Sequence, residues 1–279
     1  MPHLLALVAI TLGAAVVNGA LGYGFSSITV PLALLFLTNR VLNPALVLIE
    51  VVLNGWALWV NRAAVPLVLS RVRWVVVGLI PGVIIGTLIV SRVHPGWLKL
   101  GTYAALLPLI LVQAAGIRRA VRNERAAGMA LGGGVGLLYA VTTISGPPLA
   151  VALNNQGFSK QEFRAALALV RLAEASMTAI AYAAAGLFIR ESFTLIPAIL
   201  PGVLIGVPLG AVLIRHLPPE TFRRICMSFD AWIVSFGLST LLRDLHLVDS
   251  SAAYGVMAVV VAIDAWLLFW FFTRSRTTH

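Results

Sequence analysis

The sequence has one cysteine, Cys226, two lysines, Lys99 and Lys160, and only ten acidic residues. A single cysteine excludes an intrachain disulfide and dithiol redox chemistry. There is no Walker A loop, no HExxH, no CxxC and no GxSxG, so an ATP-driven pump or a familiar membrane protease is not supported. The histidines, His3, His94, His216, His246 and His279, all fall near the ends of apolar segments, which argues against a convergent metal or nucleophile cluster. No basic stretch precedes the first apolar run, so a cleaved signal peptide is not expected. Charge is the largest deficit. Charged residues make up 11% of the chain, against about a quarter in soluble domains.

Apolar residues fill the gap, at 60%. A soluble fold of this composition would expose far more apolar surface than monomers tolerate, so the solvent is lipid. The net charge of +10 comes without a basic stripe or recognition motif, which excludes nucleic acid as a partner. The arginines lie in short gaps between apolar segments, where they report topology. Charge-poor segments run over 1–39, 41–61, 74–91, 100–117, 126–159, 165–189, 192–214, 225–242 and 250–273. Most have the length of one helix crossing, about 20 residues. Segments 1–39 and 126–159 are too long for one crossing and are rich in helix breakers, which predicts a broken or hairpin helix in each.

These two segments open two similar halves. Ser27–Ile28–Thr29–Val30–Pro31–Leu32 aligns with Thr143–Ile144–Ser145–Gly146–Pro147–Pro148–Leu149, Pro31 on Pro148. Pro81–Gly82–Val83–Ile84–Ile85–Gly86 returns as Pro201–Gly202–Val203–Leu204–Ile205–Gly206, and Arg92–Val93–His94–Pro95 as Arg215–His216–Leu217–Pro218. Letting each long segment enter and leave on the same side gathers most arginines on one face, as the positive-inside rule requires. The expected fold is therefore an all-α polytopic membrane protein of two inverted repeats, 1–117 and 126–243. A cytoplasmic linker, 118–125, joins them, and one extra helix, 250–273, follows. Inverted repeats with interrupted helices at matching positions characterise many secondary transporters.

The candidate chemistry sits in the breaks. Around Gly22, Tyr23, Gly24, Ser26 and Ser27, glycines allow close backbone approach, and a half-helix starting near Ser26 would aim free N–H groups at an anion. The alternative is a glycine face for helix packing. Around Thr142, Thr143, Ser145 and Gly146, hydroxyls supply donors, unless they bond back to the preceding turn. Arg171 lies inside 165–189, where an arginine is costly unless paired or facing a polar cavity. It either reads an oxyanion with its planar fork or pairs with Glu174 three residues on. The repeat places Asn54 at its counterpart position, with Glu50 one turn earlier. Asp230 and Asp264 are read either as proton-coupling groups or as partners of arginines.

In Gly19–Ala20–Leu21–Gly22–Tyr23–Gly24 followed by Pro31, in Pro147–Pro148–Leu149 and in the paired Pro-Gly-x-x-x-Gly segments, the sequence resembles the sulfite exporter TauE/SafE family of bacterial membrane permeases. The resemblance runs over roughly residues 8–270; Tyr23 departs from it, standing where a small residue is expected. It implies transport of a sulfur-containing oxyanion, namely sulfite, an organosulfonate such as sulfoacetate, or thiosulfate, across the bacterial inner membrane. Family members serve both export and uptake. The expected partners are this small anion and the lipid bilayer, with a homodimer as a candidate assembly; no cofactor and no enzymatic activity are expected. The rivals are an anion channel, an uptake permease for another anion such as a carboxylate, and a membrane enzyme or accessory subunit.

Under the inverted arrangement, Arg118–Arg125 and the tail after Thr273 both face the cytoplasm. Reporter fusions are expected to place them together there; a periplasmic tail would restore single crossings throughout.

Overall fold

The computed structural model describes residues 2–114, 124–154, 158–213 and 219–275; most of the linker expected at 118–125 lies outside them. Every regular element among them is helical: α1 (Pro2–Leu21), α2 (Phe25–Ala33), α3 (Asn39–Val60), α4 (Val65–Arg92), α5 (Pro95–Ala114), α6 (Glu124–Thr142), α7 (Gly146–Asn154), α8 (Lys160–Ala184), α9 (Arg190–Leu213), α10 (Pro219–Asp244) and α11 (Gly255–Ser275), with 3₁₀ turns at 62–64 and 251–254. Seven helices among the described residues are long and apolar enough to cross a bilayer. Charged side chains are buried within an otherwise apolar interior, and large apolar side chains cover the outside. Glu50, Arg171, Glu174 and Asp264 are buried, whereas Val52, Trp56, Leu204 and Phe269 are exposed. This is the arrangement of a chain dissolved in lipid, where unpaired polar groups are unaffordable and apolar surface is not.

Both long segments are interrupted. α1 stops at Leu21, Gly22 and Gly24 take φ of 83° and 108°, and the nine-residue α2 begins. These left-handed values suit glycine and few other residues. The second interruption lies at 143–145, before the nine-residue α7. Here Thr143 itself adopts φ 57°, an uncommon conformation for a β-branched residue. The helix starts Phe25 and Gly146 are spaced like the starts Asn39 and Lys160. In that register Pro31, near the end of α2, does not correspond to Pro148, in the first turn of α7. The sequence alignment of these two prolines slips by about one helical turn.

Glycines every fourth residue join the two halves. Gly78, Gly82 and Gly86 of α4 face α6; a Cβ on them would run into Met129, Gly133, and Leu137 with Ala140. Gly202, Gly206 and Gly210 of α9 face α1 in the same way, at Leu12, at Ala15 with Val16, and at Val16 with Ala20. Such small-residue stripes let helix backbones touch, which is how membrane helices associate without a hydrophobic driving force. In both pairs residue numbers rise together, so the helices are parallel. Packing is reciprocal between halves: α1 lies on α9 and α6 on α4, while α3 lies on α8 and α5 on α10.

Stacked side chains fix which ends coincide. Arg125, at the start of α6, stacks on Trp74 in the first half of α4. Arg71, one turn earlier on α4, stacks on Phe158 just before α8. The starts of α6 and α8 therefore share one end of the bundle. α4, α8 and α10 begin well before the expected 74, 165 and 225. Arg71 and Arg73 lie within α4, their heads over aromatic rings rather than in a loop, as long cationic side chains manage near a membrane surface.

The packing assigns opposite fates to neighbouring glycines. Gly132→Leu, whose Cβ would meet the Val75 carbonyl, is expected to lower detergent stability by roughly 1–3 kcal/mol or more. Gly134→Leu, exposed with open space around it, is expected to be near neutral. Thermal unfolding of the two variants checks this.

Candidate functional site

The two breaks meet. A Cβ on Gly146 would lie 3.0 Å from the Cβ of Tyr23, so the bulky residue of the first break is received by the glycine of the second. Two small cavities lie along this contact. One, of about 20 Å³, is lined by Tyr23, Gly24 and Ser27 from the first break, Pro147 from the second, and Cys226 and Asp230 of α10. The other, of about 10 Å³, lies between Ser27, Ile144, Pro147 and Pro148, with Leu106 and Ile110 of α5 behind. Spaces of this size hold about one water molecule, so nothing larger fits in these two cavities.

The short helices bring unequal ends to it. α2 is capped by Gly24 with no side-chain hydrogen bond. The first-turn N–H groups of Phe25, Ser26 and Ser27 therefore lack a capping side chain, at the positive end of the helix. The first turn of α7 reads Gly146–Pro147–Pro148; proline has no N–H, so Gly146 alone can donate there. The Thr142 hydroxyl accepts from the Ile144 N–H at 3.0 Å and donates to the Leu138 carbonyl at 2.7 Å. That is the back-bonded arrangement foreseen as the alternative for this segment. The Thr143 hydroxyl donates to the Thr142 carbonyl at 2.7 Å.

Behind the breaks lies a buried charge cluster. Arg171, at the middle of α8, donates to Glu50 at the middle of α3, Nη2 to Oε1, at 2.9 Å. The other oxygen of Glu50 accepts from the Tyr139 hydroxyl of α6 at 2.8 Å, and Oε1 also accepts from Ser26 in the first turn of α2. Ser145 donates its hydroxyl to Glu174. Each break is thus tied to a buried carboxylate, Ser26 to Glu50 and Ser145 to Glu174. Among the described residues Nε and Nη1 of Arg171, Oε2 of Glu174 and Nδ2 of Asn54 have no hydrogen-bond partner.

This differs from the sequence reading in two places, and for Asp264 it selects the arginine-partner alternative. Glu174 was within reach of Arg171 on one helix face, yet the bonded partner is Glu50, from the other half. Counted from the starts of α3 and α8, Glu50 and not Asn54 holds the position equivalent to Arg171. Asp264 is committed to structure: Arg224 Nη2 donates to it at 2.9 Å, Ser228 at 3.2 Å and Trp232 Nε1 at 3.1 Å. Asp230, its companion in that reading, has no such partner and lines the larger cavity. Arg171 lines neither cavity. Tyr139 escaped notice; a tyrosine inside an apolar run must find a partner for its hydroxyl, and that was the available signal. Among the described residues no group of three His, Cys, Asp or Glu side chains is placed to hold a metal.

Interrupted helices that meet inside a polytopic helical bundle, backed by a buried charge cluster, are the arrangement of many membrane transport proteins. The chain belongs to the sulfite exporter TauE/SafE family, whose sequence pattern matches residues 7–236, and it is accordingly a membrane anion transporter. No curated protein and no solved structure matches it.

The buried pair makes a sharp prediction. Arg171→Gln alone leaves Glu50 buried and uncompensated, an expected loss of about 3–5 kcal/mol. Adding Glu50→Gln is expected to recover most of it, whereas adding Glu174→Gln is not. A double-mutant cycle on unfolding in detergent measures both couplings.

Proposed function

We propose that the protein is a secondary transporter exporting a small sulfur-containing oxyanion, sulfite, thiosulfate or an organosulfonate such as sulfoacetate, across the bacterial cytoplasmic membrane. The two halves are inverted repeats, one broken segment entering from each side. The parallel α1–α9 and α4–α6 pairs and the shared end of α6 and α8 support this. The anion binds between the breaks. There the uncapped N–H groups of α2 and Ser27, which lines both cavities, meet Gly146 across the contact.

The observation that carries the reading is the junction of the two helix starts around a space far too small for the substrate. A sulfonate cannot be held in a water-sized cavity, so the breaks must part to admit it. Parting and closing around a central site is carrier behaviour; a channel would keep an open path. Charge selection comes from the dipole end of α2 and its N–H groups, which match oxyanion oxygens. Arg171 holds the cluster behind the breaks together, and its remaining donors stand in reserve should the breaks move apart. Tyr23, with its ring against Gly146, limits the length of the substrate tail.

In proteoliposomes of purified protein, flux of a sulfur oxyanion is expected to saturate and to respond to the imposed gradient. Ser27→Ala is expected to weaken affinity by up to about tenfold, the value of one neutral hydrogen bond, while leaving the fold intact. Flux that never saturates would make the protein a channel, and preference for carboxylates over every sulfur anion would remove the proposed substrate class.

A further inference from the structure

Asp230 is the one buried acidic side chain of the described core that the cluster and the Arg224–Asp264 pair leave unused. It is 8% exposed, sits near the middle of α10, and lines the cavity together with Gly24 and Ser27 at the start of α2. Among the described residues no hydrogen bond or ion pair reaches it, and its described neighbours offer no cation. On α5, Tyr103 donates to the Pro31 carbonyl and Lys99 lies toward Asp244, at the far end of α10. On α11, Asp264 is held by Arg224, and in the turn before it Tyr254 takes a bond from Arg243. The described side chains of α1 and α2 carry no charge. Tyr23 and Cys226 are the other titratable groups on the cavity.

An isolated carboxylate in such a place is costly to keep charged. It also stands at the one helix end best able to hold an anion. A charged Asp230 and an oxyanion would repel each other there at close range and in low dielectric. Only one negative charge fits.

We propose that Asp230 takes up a proton whenever an anion binds between the breaks, so that the protein carries anion and proton together. This rests on the anion site proposed above. Charge is conserved at each step: the carboxylate becomes a neutral acid as the anion arrives, and both leave together on the other side. A dianion such as thiosulfate then moves with one proton as a single net negative charge, which an inside-negative potential drives outward. The neutral acid also gains a role, since its O–H can donate to a substrate oxygen.

Proton and anion binding are then linked. Affinity rises as pH falls, by about tenfold per unit over the range in which Asp230 titrates. The test is binding of thiosulfate and methanesulfonate, both ionised throughout the working pH range, to purified wild-type protein at a series of pH values. Proton uptake is read in parallel with an indicator in weak buffer. Wild type is expected to bind more tightly at low pH and to take up a proton on binding. Asp230→Asn is expected to bind with affinity independent of pH and to take up none. If that variant fails to fold, Asp230→Glu, which keeps an acid, is expected to retain proton uptake with a displaced midpoint. Affinity that ignores pH in wild type, or Asp230→Asn with unchanged pH dependence, overturns the proposal. Loss of proton uptake in Cys226→Ala, with Asp230→Asn unaffected, assigns the proton to the thiol and overturns it too. Absence of binding of either anion at every pH overturns the anion site itself, a separate failure.

Discussion

An arginine and a glutamate buried at the middle of this molecule are tolerable only in each other's company. Arg171 comes from α8 and Glu50 from α3, so their bond crosses between the halves at the middle of both helices. Much of the interior is arranged around it. Glu50 also accepts from Tyr139 of α6 and from Ser26 of α2, which ties one break to the pair. The other break is tied, through Ser145, to Glu174 one turn along from Arg171. A buried pair contributes little net stability against an apolar substitute, but breaking it is expensive. Its effect here is positional. It sets the rotation of α3 and α8, and with them the places from which the two short helices start.

That commitment shapes how a negative ligand is received. Arg171 already has a carboxylate to neutralise it, so the cluster holds no surplus positive charge. In the proposed site, attraction for an anion falls to backbone, to the start of α2, where glycine caps without occupying the N–H groups. The start of α7 is not equivalent, because its two prolines carry no N–H. The two breaks thus open onto short helices of equal length with unlike ends, and the proposed site draws on them unequally.

Much of the architecture could be read from the chain. Charge-free runs located the helices, because a helix in lipid has no tolerance for unpaired charge. Breaks at Gly22–Gly24 and at 143–145 were legible because glycine and proline act locally. Pairings were not. Arg171 and Glu174 are neighbours by helix periodicity, but the choice of Glu50 depends on how α3 crosses α8, which no spacing encodes. The same blindness left Arg224 unassigned to Asp264. Helix ends marked by Arg71 and Arg73 were placed too far inward, because an arginine stacked on an aromatic ring can extend a helix that a bare charge would end. The repeated Pro-Gly-x-x-x-Gly segments were visible as a duplication, whereas their partners, α6 and α1, appear only once the halves are interlocked.

The glycine-lined pairings also order the assembly of the chain. Each pair couples the opening helix of one half to the fourth helix of the other. α4 finds its partner soon after it is made, since α6 follows α5. α1 waits longer: seven helices separate it from α9, and until α9 emerges the face carrying Leu12, Ala15 and Gly19 lacks that partner. A chain that stops before α9 leaves the glycine-lined face of α1 unpaired, with α2 as its neighbour. α1 is in effect a latch that closes only once α9 has been made, and a quality-control protease that recognises loose membrane helices would find its target there.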